Sequence, residues 1–152
     1  GGCIAGLFIG DYFAKRQEHY ANQQEAVLEE LAWNKTMTQK LRQTNAELAN
    51  SIQQYQDNVE QIHNMPINPK QRKKLLREER ESFQQRFGNT PGEMMSRLET
   101  ELAESKRRYQ QYQANAKPTD SQKWHREIAA LEQEKNQLNA NFQTLLTMNA
   151  SL

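Results

Sequence analysis

The chain has 152 residues, 20 of them basic and 19 acidic, for a formal net charge of +1. Leu, Ile, Val and Phe together number 27, Gln and Asn together 32, and two Val, four Pro and six Gly leave little from which to build strands and turns. This composition excludes a β-sandwich, a barrel or a doubly wound α/β enzyme, and the balanced charge argues against disorder. The expected class is all-α: a long coiled-coil helix with shorter antiparallel helices, preceded by an apolar helix segment.

Residues 1–10, GGCIAGLFIG, contain no charged side chain. As a helix they rise about 15 Å, against about 30 Å of bilayer hydrocarbon, so they cannot span alone. They read as the remainder of a longer apolar segment, a unit over 1–13. Gly2, Gly6 and Gly10 recur every fourth residue, which places them on one helix face where a neighbouring helix can approach closely. In water each would cost a helix about 1 kcal/mol relative to Ala. Tyr12 and Phe13 follow where an interfacial aromatic belt would lie, ahead of Lys15 and Arg16. Cys3 is the only cysteine, so no intrachain disulfide exists. It reads as a small packing residue rather than a lipid attachment point.

The run GxxxGxxxG leading into Gly10-Asp11-Tyr12-Phe13-Ala14-Lys15-Arg16-Gln17-Glu18 resembles the glycine-zipper segment, of the two-transmembrane type, found in Gram-negative envelope proteins. The resemblance covers about residues 1–18. It implies a bacterial envelope location and self-association through Gly2, Gly6 and Gly10. Some relatives continue into a peptidoglycan-binding domain, but this chain continues as coiled coil, so that activity is not carried over.

From Phe13 a heptad runs through Tyr20, Val27, Asn34, Leu41, Leu48, Tyr55 and Ile62, with Gln17, Gln24, Leu31, Thr38, Asn45, Ile52 and Val59 as its partner set. It predicts one long helix over 2–64, whose coiled-coil part is a unit over 14–65. Polar seam sites such as Asn34, Thr38 and Asn45 weaken a coiled coil but fix its register. The drier stretch of Leu41, Leu48, Ile52, Tyr55, Val59 and Ile62 is the expected oligomer seam. Beyond it, Asn68-Pro69 with Gln71, Thr90-Pro91 with Glu93, and Thr119 with Gln122 each read as a helix start. They predict three further helices over 69–87, 91–116 and 120–150, a coiled-coil region over 66–152. Short connections favour antiparallel neighbours.

Little in the sequence points to catalysis. No glycine loop ends in GK[ST], and His19, His63 and His125 have no partner at metal-ligand spacing. No cofactor, metal site or catalytic residue is expected. The strongest charge feature is Lys70, Arg72, Lys73, Lys74 and Arg77, continued by Arg80. It opposes the dipole of the helix it begins; it reads either as a solvated face balanced by Glu78, Glu79 and Glu81 or as a contact, for which an acidic protein is the partner that fits best. No aromatic residues are interleaved to stack on bases, which argues against nucleic acid. If one straight helix ran from a membrane, this cluster would stand about 90 Å away from it.

The expected function is a non-enzymatic structural subunit of a bacterial cell-envelope assembly. It would be membrane-associated through its N-terminal segment, with a periplasmic coiled coil, and homo-oligomeric. A conduit in a secretion, pilus or phage-ejection machine, and a soluble adaptor for an acidic partner, are the alternatives.

Overall fold

The 3.5-residue period folds as a bundle closed within one chain. The computed structural model describes residues 3–4 and 7–152, with side chains from residue 11 onward. Four long helices carry the fold: α2 (Gln23–Asn64), α3 (Pro69–Phe87), α4 (Thr90–Tyr112) and α5 (Pro118–Ala150). A four-residue helix, α1 (Ile9–Tyr12), precedes them, after a two-residue antiparallel pairing of β1 (Cys3–Ile4) with β2 (Leu7–Phe8).

The chain therefore departs from the expected helix over 2–64. Residues 3–4 and 7–8 are extended, residues 13–22 form an irregular strap, and continuous helix begins only at Gln23. The strap is non-helical because its groups find partners on other helices, described below. Asn22 then ends it as N-cap, its Oδ1 accepting from the Glu25 N–H at 2.9 Å. Gly2 and Gly6, and with them the zipper, lie outside the described residues. Among the described residues no helix is long and apolar enough to cross a membrane.

Contacts between helices set their directions. Asn58 reaches Glu79, Ser51 reaches Arg86, and Glu30 reaches Arg108. The partner's number climbs steadily as that in α2 falls, so α3 and α4 run in line, both antiparallel to α2. The expectation that each short connection reverses the chain fails here. Gly88 and Asn89 are too few to turn back, and they produce a break within one descending rod. Gly88 sits at φ +50° and ψ −128°, a conformation that side chains other than glycine's avoid. Helix α5 reverses and runs parallel to α2, as Arg42–Glu134, Asn45–Asn141 and Tyr55–Asn149 show. The result is an up–down–up three-helix bundle, about 60 Å long from the helical rise of α2.

Leu41, Leu48, Met37, Leu98, Trp124, Leu131, Leu138 and Phe142 form its centre. Leu41, Leu48, Tyr55 and Ile62 are buried inside this bundle, and Ile52 and Val59 are half-buried. The stretch read as a seam between chains is thus closed by α3, α4 and α5 of the same chain. Tyr12, expected at a membrane interface, is also core. It is 3% exposed, and its hydroxyl shares a 2.8 Å hydrogen bond with Thr44 Oγ1.

The helix starts agree in part with the capping chemistry. Asn68 Oδ1 accepts from Gln71 N at 2.8 Å, with Pro69 at the first turn, as expected. Helix α4 instead begins one residue early, behind Asn89, and buries Thr90 where its hydroxyl finds no partner. Helix α5 begins at Pro118 behind Lys117, without a side-chain cap. Proline's fixed φ is enough to start both.

Candidate functional site: a buried ion network that straps the N-terminal segment

The most elaborate polar constellation lies where the strap crosses the lower half of the bundle. Glu30 is on α2, one residue before the seam position Leu31, and is 1% exposed. Its Oε1 receives Arg16 Nη1 at 2.6 Å; its Oε2 receives the Tyr20 hydroxyl at 2.9 Å and Arg108 Nη1 at 3.2 Å. Each arginine is anchored a second time. Arg16 donates to the Glu101 carbonyl and to Ser105 Oγ on α4 at 3.1 and 3.0 Å, and its guanidinium lies 3.7 Å from the Trp33 ring centre. Arg108 donates to the Gln17 carbonyl at 2.8 Å, the Tyr20 hydroxyl at 2.6 Å and Glu104 Oε1 at 2.7 Å.

Further along, Trp33 Nε1 donates to the Ala14 carbonyl at 2.9 Å, and Lys40 Nζ to the Tyr12 carbonyl at 2.7 Å. The strap thus supplies carbonyls as well as side chains to α2 and α4. That explains why it gives up the helical hydrogen bonds its sequence would otherwise make.

Burial pushes the Glu30 carboxyl above its ordinary range, against the pull of Arg16, the Tyr20 hydroxyl and Arg108. Burial likewise lowers the Arg16 guanidinium, against the pull of Glu30 and Glu101. The Tyr20 phenol is pushed up to about 12 by burial and by Glu30. Glu104, nearer the surface, is held at about 2 by its hydrogen bond from Arg107, aided by Arg108. Every charged group here is spent on another group of the chain, so the network suits fastening rather than proton transfer. Buried ion pairs of this kind add little net stability over an apolar core but penalise any arrangement that separates the partners.

A second polar layer joins the parallel pair α2 and α5. Asn45 Nδ2 donates to Glu134 Oε2 at 2.9 Å, and Asn141 Nδ2 donates to Asn45 Oδ1 at 3.1 Å. Asn45, a polar site of the seam, is thus paired between two helices of one chain. Asn34 serves its own helix instead, donating to the Glu30 carbonyl.

The basic cluster lies far from both layers, on the first half of α3. Arg72 is withdrawn from any partner-binding role. It is half-buried and donates to the Met65 carbonyl at 2.9 Å and to the Ile62 carbonyl at 3.4 Å, closing the end of α2. Lys70, Lys73, Lys74, Arg77 and Arg80 are exposed. The expected spacing from the N-terminal segment also changes. Tyr12 sits beside Thr44, only about 30 Å of helix from the end of α2.

The Arg16–Glu30–Arg108 network was missed in the sequence because charges flanking a seam ordinarily face water. The heptad position of Glu30 holds Gln23, Met37, Thr44 and Ser51 elsewhere on α2, so no repeated charge marked it in the sequence. His19, His63 and His125 are exposed and far apart, and among the described residues no group of His, Cys, Asp and Glu could hold a metal. No protein-family model matches this chain, and comparison with curated proteins and with solved structures finds no significant match.

Proposed function

We propose that this chain is a non-enzymatic structural subunit of a bacterial cell-envelope assembly, a stiff helical bundle that holds an apolar N-terminal segment in a fixed position. The observation that carries this reading is the buried tie of Arg16 and Tyr20 to Glu30 and Arg108. Residues 12–20 are built into the bundle, with Tyr12 in its core and Arg16 and Tyr20 on buried Glu30. Immobilising them with desolvated charges is useful when the exit point of the segment before them must be set. An anchor requires that; a flexible tether does not. The segment leaves the bundle at Tyr12, beside Thr44 near the middle of α2, so a bundle anchored this way would lie beside its anchor rather than project from it end-on.

The test is flotation of the full chain with vesicles of phosphatidylethanolamine and phosphatidylglycerol. The chain should rise with the vesicles, and replacing Ile4, Leu7, Phe8 and Ile9 by Ser should abolish this while helical circular dichroism is retained. In detergent, Gly6→Leu should lower the sedimenting mass if the glycines mediate self-association. A chain that stays at the bottom, with unchanged mass, favours the soluble-adaptor alternative.

A further inference from the structure

Residues 12–17 sit on the bundle as a bound peptide does. Three side chains of the bundle donate to strap carbonyls: Lys40 to Tyr12, Trp33 to Ala14 and Arg108 to Gln17. The strap returns two side chains, the Tyr12 hydroxyl to Thr44 and the Arg16 guanidinium to Glu30 and Ser105. Among the described residues no backbone–backbone hydrogen bond joins residues 13–22 to α3, α4 or α5. The segment is laid over the bundle and held by side chains, so it can leave without unthreading.

These bonds also fix its course. From Tyr12 beside Thr44 to Arg16 beside Glu30 it descends antiparallel to α2, and residues 18–22 then reverse the chain into Gln23. In that turn Glu18, His19, Ala21 and Asn22 are exposed, while Tyr20 is tied to Glu30 and Arg108. No Pro or Gly in residues 13–22 imposes the reversal, and Phe13 and Tyr20 continue the heptad of α2. The turn is held by the contacts around it rather than by turn residues. An opened strap is costly while it stays open, because the carboxylate of Glu30 loses the guanidinium on its Oε1 inside the core. The vacated groove suits one occupant, an extended segment with an arginine four residues after a buried tyrosine. A second copy of this chain carries that segment.

We infer that two copies exchange residues 12–17, the Arg16 of each completing the Glu30 and Arg108 network of the other. A two-fold axis at the start of α2 meets the geometry. The strap already descends toward that end, and in the inverted neighbour it continues in the same relation to α2. Fully extended, residues 17–23 reach about 20 Å, against about 10 Å of helix between Gln23 and Glu30. Both forms keep the same bonds, so the turn decides between them, and a short hinge favours exchange over folding back. The inference rests on the assembly reading above only in giving the copies a reason to associate, and it is independent of the glycines.

The test uses the full chain with the photo-crosslinker benzoylphenylalanine in place of Phe13, whose ring centre lies 4.9 Å from the Arg97 guanidinium carbon on α4. Chains made with light and with heavy nitrogen are mixed in urea, refolded together, irradiated and digested. Exchange yields links from residue 13 of a light chain to α4 of a heavy one. Links confined to a single isotope overturn the inference. A Gly-Ser linker inserted between Glu18 and His19 relaxes the turn and should remove most mixed links, with helical circular dichroism retained. Mixed links undiminished by the insertion report contact between neighbours and overturn it as well. In a Gly6→Leu background the mixed links should persist, and their loss there assigns the pairing to the glycines instead. Failure of the exchange and failure of the anchoring proposal, read by flotation, are therefore distinguishable.

Discussion

Glu30 shows how much one side chain can decide. It is a carboxylate in the core with two arginines and a phenol on its two oxygens. Removing it strands Arg16 and Arg108, whose side chains are 9% and 10% exposed. Glu30→Ala should therefore cost about 3 kcal/mol or more in urea unfolding. Replacing Arg16, Glu30 and Arg108 together by Met, Leu and Met should recover most of that loss, since no charge is then left unpaired. A single-substitution loss below about 1 kcal/mol would mean that the network behaves like a surface pair. Residue identity alone did not announce this role, because a glutamate among helical Gln and Glu residues looks like a solvated face. Its burial follows from Trp33 and the strap closing over it.

At the scale of elements, most of the helices were legible. The repeat of Val27, Asn34, Leu41, Leu48, Tyr55 and Ile62 is the buried line of α2 as read, and Asn68-Pro69 starts α3 where expected. The start of the long helix was not legible. Phe13, Gln17 and Tyr20 continue the heptad in sequence but lie in the strap, where bonds to α2 and α4 outweigh local helical preference. The break at Gly88 is the other decisive element. A β-carbon there would meet the Gln84 carbonyl at an ordinary 3.7 Å, so the penalty comes from φ and not from crowding. Gly88→Ala should destabilise the bundle by about 1 kcal/mol in thermal or urea unfolding. An unchanged midpoint would show that the descending rod can straighten without loss.

For the whole molecule, the uneven thickness of the bundle predicts uneven stability. Over α4 and the second half of α3, apolar groups are covered from several sides. Over residues 69–80, α3 has no buried residue, and α5 no longer flanks it. Hydrogen exchange should therefore be fastest in the first half of α3 and slowest around Leu41 and Leu138, which are fully buried. Uniform protection along α3 and α4 would contradict this account.

The sequence by itself determined the helical class, the positions of the breaks and the face of α2 that is buried. Each follows from local chemistry: apolar period, proline and glycine placement, and side-chain caps. Only the tertiary structure decided where that face is covered. A heptad states that a stripe must be buried but not against which helix, so a seam closed within the chain and one shared between chains read alike. The path of residues 13–22 and the pairing of Arg16 with Glu30 and Arg108 were likewise beyond periodicity. They depend on contacts between segments up to 91 residues apart, and such contacts leave no local pattern.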